Sequence, residues 1–536
     1  MSVKNFLSDS YRRQLDNKIN KLVINHQINQ KHSSRPKTSQ ANTKRSPIIH
    51  KPLPSLSKPF EISIDLASKI YANKCQDLNL KPNKLAEKRF VEQFMTSISQ
   101  KSMKLSGLGL GSECILSLTK LLLSNPQFVY LDLSMNKLNN DGIKVLSKYL
   151  ARNPPIIFLN LKSNSIGVQG STVLFQSIKS NIHLTTLDLG AVDGLDRNRL
   201  GIQGCQKVGD MLISNQTISS LNFAMCGIPV DGCQYIGNAL RQNTSLTSLD
   251  LTANRFGSDG LNILLREDNS LGCLETLILS RNAIGNNSAN SLCRQLSLSN
   301  TLQSLDLSDN LLSKPFLEKF YNALQEKPRL KRLSLAKNKF GPECGDYLMM
   351  LVRDFPSFTY IDISSNELQD AALSHIANGL RHNNVLLSLD VSNTGMTDSS
   401  AQEFANVIST HPSLQKLSMA ANEITDVSGV EIAKALCSNK SLNSLSLSDN
   451  ELRDDSAFAL LDMLEVNTII ANIDIGFNDF GPNTFIELSR KLEERKRIIS
   501  SNVASIATRK IEWLKEEEMR LFEYRDEIRD RQNEVD

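Results

Sequence analysis

The chain lacks several features that define common classes of protein. Its 536 residues contain no run of about 18 apolar residues, which a transmembrane helix would require. Charged residues interrupt the first stretch, so a secretory signal core is not expected. The nine cysteines form neither a Cys-x-x-Cys pair nor a Cys/His metal spacing, and no P-loop or HExxH motif occurs. We therefore expect an intracellular protein with reduced, mostly buried thiols, and without a metal, a cofactor or a small-molecule substrate.

Charge is distributed unevenly, although the net charge is only +4. Residues 1–58 are rich in Lys, Ser, Asn and Pro and have no sustained apolar period, so we predict a basic tail that is disordered in isolation. Such a tail can bind an acidic partner such as tubulin, nucleic acid or a membrane surface, or it can simply be solvated. No aromatic residues alternate with the basic ones after Tyr11, which disfavours binding to single-stranded nucleic acid.

An internal repeat organises most of the chain. Segments such as VYLDLSMNKL (129–138) and TSLDLTANRF (247–256) share one frame. Alternating apolar residues in this frame predict a short strand, and the spacing of Ile143, Leu146 and Leu150 predicts a following helix. The first strand position recurs every 28 residues, except for one step of 34, at 103, 131, 159, 187, 221, 249, 277, 305, 333, 361, 389, 417, 445 and 473. We therefore predict fourteen repeats over residues 101–500.

Most repeats have an asparagine after the strand. A buried amide at this point can donate hydrogen bonds to backbone carbonyls of neighbouring turns that otherwise lack partners. Cys226 is a substitute in one repeat, whereas Leu108, Val192 and Thr394 depart from the pattern. The ten asparagines are Asn136, Asn164, Asn254, Asn282, Asn310, Asn338, Asn366, Asn422, Asn450 and Asn478.

The frame LxLxxNxL resembles the leucine-rich-repeat pattern. A unit of 28 residues with a full helix is similar to the ribonuclease-inhibitor subfamily, and the resemblance covers residues 100–500. It implies an α/β solenoid shaped like a horseshoe, with parallel strands on the concave face and helices on the convex face. It implies little about function, because one fold supports many functions.

Acidic residues recur between the two strand leucines, at a position predicted to face the concave side. Neighbouring strands lie about 4.8 Å apart, so these side chains would form an acidic stripe suited to a basic protein partner. The alternative is that these residues belong to the repeat consensus and bind adjacent serines or backbone amides. The candidate residues are Asp132, Asp188, Asp250, Asp306, Asp362, Asp390 and Asp474, with the aromatic Tyr130, Phe158 and Tyr360 just before the first leucine.

The single long repeat contains six extra residues within GAVDGLDRNRLG (190–201). This insertion falls between strand and helix, on one rim of the horseshoe, where loops on a rigid scaffold often provide recognition. Arg197 and Arg199 are suited to bidentate contacts with a carboxylate or a phosphate. Alternatively, the insertion is an ornament in which Asp193, Asp196 and the arginines neutralise one another.

The flanks of the array are predicted to be helical. Residues 59–100 are predicted to form two helices that cap the first repeat, because an open end would expose the core. Within them Tyr71, Cys75, Leu78 and Pro82 resemble a lead-in of leucine-rich-repeat proteins of cilia and testis, among them the T-complex-associated testis-expressed subunit of the dynein regulatory complex. Residues 501–536 are predicted to form a charged helix that either pairs with another helix or caps the array, with Trp513 packing on the last repeat or anchoring a partner.

These features favour a non-enzymatic scaffold or adaptor in a large assembly. The concave face, the rim insertion, the basic tail and the terminal helix would each contact other proteins, and the lead-in resemblance implies a ciliary or axonemal, microtubule-associated setting, with tubulin or axonemal subunits as partners.

A regulator of a small GTPase, resembling the Ran GTPase-activating proteins, is the alternative, with Arg197 or Arg199 aiding hydrolysis. An inhibitor resembling ribonuclease inhibitor is disfavoured because dense cysteines are missing. His183, His382 and His411 lie in repeat-end loops, where we expect tolerated surface variants and not catalytic bases.

Overall fold

The computed structural model describes residues 62–191, 194–325, 329–499 and 501, and within them fourteen strands form one open parallel sheet in chain order. Each strand pairs with the residues 28 positions later, or 34 later between β4 and β5. The predicted leucine-rich-repeat solenoid, with its alternating strands and helices, is therefore confirmed. Strands β1 to β14 are Ser102–Lys104, Tyr130–Asp132, Phe158–Asn160, Thr186–Asp188, Ser220–Asn222, Ser248–Asp250, Thr276–Ile278, Ser304–Asp306, Arg332–Ser334, Tyr360–Asp362, Ser388–Asp390, Lys416–Ser418, Ser444–Ser446 and Asn472–Asp474.

Helices follow the strands and pack side by side on the other layer. Helices α1 to α15 are Ile64–Asp77, Lys84–Thr96, Ser112–Ser124, Asn139–Leu150, Val168–Ile178, Gly201–Ser214, Cys233–Leu240, Gly257–Leu264, Ala289–Leu298, Lys314–Leu324, Gly345–Asp354, Gln369–Arg381, Asp398–Thr410, Asp426–Ser438 and Asp454–Val466. Three short 3-10 turns precede α7, α9 and α11, at Val230–Gly232, Asn286–Ser288 and Pro342–Cys344. Residues 482–499 are helical after β14.

The core lies between the two layers. The middle residue of each strand points inward and is buried, as Leu249 and Leu277 show, while its two neighbours remain partly exposed in most strands. The helices bury the residues spaced by three and four, including Ile143, Leu146 and Leu150. Seven of the nine cysteines are buried and all nine are unpaired, which confirms the expectation of mostly buried thiols.

Buried asparagines cross-link successive repeats. The Asn310 amide nitrogen donates to the carbonyl of Leu279 in the preceding repeat at 3.1 Å, and to the carbonyls of Leu307 and Ser308 at 2.9 and 3.1 Å. Its amide oxygen accepts from the backbone N–H of Ile284 at 3.0 Å. The amide therefore satisfies strand-end groups that the three-residue strands leave unpaired.

The insertion does not interrupt this ladder. The Asn198 amide nitrogen donates to the carbonyls of Leu161 and Leu189, both at 2.8 Å, and its oxygen accepts from Ile166 N–H at 3.0 Å. The six extra residues therefore lie between Leu189 and Asn198. The prediction that this repeat departs from the ladder at Val192 is wrong. The ladder asparagine was sought at a constant distance from the strand, whereas the six extra residues move it to Asn198. Val192 itself lies outside the described residues.

A second row of buried amides, which the sequence interpretation missed, lies in the loops from helix to strand. The Asn215 amide nitrogen donates to the carbonyls of Ile178 and Asn181 at 3.0 and 2.8 Å, and its oxygen accepts from the N–H groups of Thr217 and Ile218. Other members of the row are Asn181, Asn243, Asn383, Asn439 and Asn467.

His411 occupies this second row and is only 5 % exposed. Its Nδ1 accepts from the N–H groups of Ser413 and Leu414 at 3.3 and 3.1 Å, whereas its buried Nε2 has no hydrogen-bond partner among the described residues. Burial lowers the pKa of His411, because it disfavours the charged ring. The expectation of a surface variant is wrong for His411; His382 is exposed and His183 is half-buried.

Carboxylates at helix starts form a third link between repeats. The Asp370 carboxylate, at the start of α12, accepts hydrogen bonds from the backbone N–H and the hydroxyl of Thr397 at 2.9 and 2.5 Å, and from the Ser400 hydroxyl at 2.5 Å, around the start of α13. Burial alone would raise the pKa of Asp370, but the hydrogen bonds from Ser400 and Thr397 outweigh it and lower that pKa. Each such carboxylate therefore also stabilises the positive end of the next helix.

Two helices precede the first strand. Asp77, the last residue of α1, accepts from the N–H groups of Glu113 and Cys114 at 3.0 and 3.1 Å. The Tyr71 hydroxyl accepts from Asn83 N–H at 3.1 Å, which ties α1 to the start of α2. Cys75 is buried beside them. These contacts cover the side of α3 that has no preceding repeat.

Candidate functional site

The outward face of the sheet, which we call the strand face, consists of the first and third residues of each strand and the residue two positions after the strand. Hydroxyl groups are frequent on it: Thr186, Ser220, Ser248, Thr276 and Ser304 are the first residues of β4 to β8. In the same region Thr252 and Ser280 lie 3.0 Å apart, oxygen to oxygen. This surface offers many donors and acceptors and little bulk, which suits contact with a polar protein surface. The sequence interpretation named the acids but not these hydroxyls.

The seven predicted aspartates do lie on the strand face, each as the third residue of its strand. One carboxylate oxygen in each accepts the backbone N–H two residues later, as at Asp250, where Thr252 N–H donates at 2.9 Å, and Asp306, where Ser308 N–H donates at 2.8 Å. The same bond occurs at Asp132, Asp188, Asp362, Asp390 and Asp474. The side chains therefore hold the turn after each strand, as the structural alternative expects. The second carboxylate oxygen of Asp188 contacts Lys162, and that of Asp362 accepts from the Ser334 hydroxyl at 3.2 Å.

The aspartates of the strand face differ in their electrostatic surroundings. Lys162 pairs with Asp188 at 3.1 Å, and burial, the largest effect, raises the pKa of Asp188. Burial likewise raises the pKa of Asp390. Within the described residues no ion pair involves Asp250, Asp306, Asp362 or Asp390. The strand face between β6 and β11 therefore carries four aspartates that form no ion pair with a described residue.

The aromatic candidates are less exposed than a contact surface requires. Tyr130 is only 2 % exposed and stacks on the half-buried Phe158, with ring centroids 4.3 Å apart. Tyr130 therefore offers little surface for the partner contact predicted for it. Tyr360 is half-buried, and the Arg332 guanidinium lies 4.1 Å from its ring centroid. Arg332 places one positive charge within the acidic part of the strand face.

The insertion is anchored by one of its acids. Asp196 pairs with Lys137 at 2.5 Å and accepts from the Ser165 hydroxyl at 2.8 Å, and the hydrogen bond from Lys137, the largest effect, lowers the Asp196 pKa. Arg197 and Arg199 are both exposed, and neither forms an ion pair among the described residues. The arginines therefore do not neutralise Asp196.

The two arginines separate in space. Arg197 lines a groove of about 480 Å³ formed by the strand–helix loops that follow β4 to β8, and Arg199 does not line it. We call this the arginine groove; its lining includes Arg197, Met225, Arg255, Arg281, Ala283 and Leu311. Arg255 and Arg281 were not singled out from the sequence, because only the fold brings these loops beside the insertion.

Several predicted elements cannot be located. The basic tail (1–58), Trp513 and the charged segment from 502 onward lie outside the described residues. Among the residues that are described, no cluster of three or more His, Cys, Asp or Glu could hold a metal ion. The helices of the described ranges include none that combines the length and apolar character needed to cross a bilayer.

Comparison with known proteins identifies the repeat. The Leucine Rich repeat profile matches residues 124–147, 242–262, 382–405 and 438–461. The chain contains leucine-rich repeats. Each matched segment spans a strand with its neighbouring helix residues, in agreement with the observed frame. No curated protein sequence matches the chain.

Solved structures similar to the chain are distant in sequence. The TLR13–ssRNA13 complex is 17 % identical with a TM-score of 0.42, covering 71 % of this chain and 53 % of that one. The mouse RP105/MD-1 complex is 16 % identical (TM-score 0.36; 69 % and 70 % covered), and an internalin of Listeria monocytogenes is 18 % identical (TM-score 0.31; 79 % and 92 % covered). Arrays of this kind are generally scaffolds that bind other proteins along an extended surface.

Proposed function

We propose that the chain is a non-catalytic scaffold that binds a basic surface of a partner protein on the strand face between β6 and β11. The observation that carries this proposal is the row Asp250, Asp306, Asp362 and Asp390, whose carboxylates hold their own turns yet form no ion pair with a described residue. A row of charges on parallel strands matches an extended partner and fixes its register.

The sharpest test removes the negative charge of these aspartates while keeping the hydrogen bond that holds each turn. Because Asn keeps the acceptor oxygen that receives the backbone N–H, Asp250→Asn, Asp306→Asn and Asp362→Asn together should leave folding unchanged. Each partly exposed charge contact contributes about 0.2–1 kcal/mol, so the triple variant should bind roughly tenfold more weakly. A matched control is Asp141→Asn, Asp346→Asn and Asp462→Asn, three exposed acids on the helices.

The measurement is proximity labelling with tagged full-length protein, comparing wild type, the strand-face variant and the helix control. We expect the same set of labelled proteins to be lost from the strand-face variant and retained in the control. Equal labelling by all three proteins would show that these charges do not contribute to binding.

The setting we propose is a ciliary or axonemal, microtubule-associated assembly in the cytoplasm or cytoskeleton. Support comes from the resemblance at Tyr71, Cys75, Leu78 and Pro82, of which Tyr71 joins α1 to the start of α2 and Cys75 is buried. Axonemal proteins among the labelled set would support this setting, and their absence in ciliated cells would count against it.

Regulation of a small GTPase is a second candidate, favoured by the exposure of Arg197 without an ionic partner. In this case purified protein would accelerate GTP hydrolysis by a small GTPase, and Arg197→Ala would remove the acceleration. Arg199→Ala is the matched control, because Arg199 lies two residues away in the same long repeat but does not line the groove.

A further inference from the structure

We propose that the arginine groove is a binding site for an extended acidic segment of a partner protein. The site is distinct from the strand face, because it lies on the strand–helix loops after β4 to β8. It rests on the proposed function only in requiring that the partner be a protein, so either surface can be removed without the other.

The groove gathers positive charge from separate repeats. Arg197 comes from the insertion after β4, Arg255 follows β6, and Arg281 follows β7. Arg197 and Arg255 form no ion pair among the described residues. Arg281 pairs with Asp309 at 3.2 Å, but both side chains are about half exposed (53 % and 51 %), so an incoming carboxylate can replace Asp309.

The repeat itself does not demand these charges. The residue just after the ladder asparagine is Arg199 and Arg255 in the repeats of β4 and β6, and Lys339 in that of β9. At the same position in the repeats of β10 and β12 to β14, the residues are acidic: Glu367, Glu423, Glu451 and Asp479. The charge at this position therefore changes sign along the array, and of its basic residues Arg255 is the one that lines the groove.

The shape of the groove selects the kind of anion. Four strand steps of about 4.8 Å give a length of roughly 19 Å, which accommodates an extended segment of about six residues. The three arginines belong to the repeats of β4, β6 and β7, so their backbone positions span about three of these strand steps. Extended backbone places alternate side chains on one side roughly 7 Å apart, a spacing that long arginine side chains can reach.

The lining between the arginines favours a peptide over a nucleic acid. Met225, Ala283 and Leu311 provide aliphatic contact surface, and the residues that line the groove include no aromatic ring on which a base would stack. An acidic segment with small or aliphatic residues between its carboxylates fits both the charge and the lining.

The test uses full-length protein and a fluorescein-labelled peptide of about eight residues, with Glu at alternate positions and Ala or Leu between them. Fluorescence anisotropy should detect binding that weakens as salt is raised, because exposed charges are screened. Arg197→Glu with Arg255→Glu should reduce affinity by at least tenfold, and Arg197→Gln with Arg255→Gln by a smaller factor. A control with the same charge change is Arg152→Glu with Lys440→Glu, two exposed residues in the helix–strand loops of the opposite rim.

The result that supports the site is selective loss in the groove variants, with the strand-face Asp→Asn variant and the opposite-rim control unchanged. No binding by wild type, or equal loss in the opposite-rim control, would overturn it. Tighter binding of an oligothymidylate than of the peptide would identify a nucleic-acid site instead. Concentration-dependent self-association of the wild type, abolished by the groove variants in analytical ultracentrifugation, would identify the acidic loops of a second copy as the occupant.

Discussion

Replacement of Asn282 by Ala tests the ladder that joins the repeats. The side chain is fully buried and makes five hydrogen bonds. Its nitrogen donates to the carbonyls of Leu251, Leu279 and Ser280, and its oxygen accepts from the N–H groups of Asn254 and Arg255, all at 2.9–3.1 Å. Asn282→Ala removes this partner from all five backbone groups at once.

The expected loss is large for one side chain. The three carbonyls keep other donors, whereas the N–H groups of Asn254 and Arg255 lose their acceptor. A buried polar group left without a partner costs about 1–3 kcal/mol, so the two N–H groups together would lower the free energy of unfolding by roughly 2–6 kcal/mol. Asn287→Ala is the matched control, because Asn287 lies in the same repeat and is exposed. We expect the control to change the unfolding free energy by less than about 0.5 kcal/mol.

The assay combines urea unfolding, followed by circular dichroism, with amide hydrogen exchange. Exchange is needed because a long array can unfold in parts, so one transition does not report each repeat. The N–H groups of Asn254 and Arg255 should lose protection in the variant. A loss of less than about 1 kcal/mol with unchanged protection at these two amides would refute the role assigned to the ladder.

Two further predictions concern single buried positions. His411→Asn should raise stability by about 1 kcal/mol, because Asn restores the donor that its sister repeats use. Because the fold favours the neutral ring of His411, the wild-type protein should keep its full stability above the ordinary histidine pKa of about 6.5 and lose stability as the pH falls below it. Melting curves between pH 7 and pH 5 should show a smaller loss in His411→Asn. Gly237→Ala should destabilise by roughly 3 kcal/mol, because its Cβ would overlap the Leu264 carbonyl oxygen. Gly227→Ala, at φ +63° with open space around it, should cost only about 1 kcal/mol in the same melts.

The strand positions and most of the asparagine ladder could be predicted because they depend on local pattern. An apolar residue every 28 positions must lie inward wherever a strand is stacked on its neighbour, so Leu249 and Leu277 follow from spacing alone. The Asn198 position could not be read in this way, since the insertion displaces it from its fixed offset. The buried role of His411 was missed because a polar residue in a loop was taken as exposed, while its partners belong to backbone two and three residues later.

The candidate surfaces were only partly predictable. The positions of the strand-face aspartates follow from the alternation of residues along a strand. Their hydrogen bond to the N–H two residues later depends on the geometry of the turn and could not be predicted. Because this bond needs only one acceptor oxygen, Asn can replace Asp at these positions. The arginine groove depends on contacts between loops of different repeats. Nothing in the sequence distinguishes Arg255 and Arg281 from other polar loop residues. They become candidates for binding because the fold places them in one groove with Arg197.

Site-specific photo-crosslinking tests most directly the claim that the strand face binds a partner protein. A benzophenone amino acid replaces Ser304, the first residue of β8, in one full-length protein, and Glu431, an exposed residue of α14, in another. The proposed function predicts a discrete crosslinked partner from position 304 that the Asp250→Asn, Asp306→Asn and Asp362→Asn variant no longer captures, and none from position 431. Crosslinking from position 431 alone, or a product at 304 that survives the triple substitution, would contradict it.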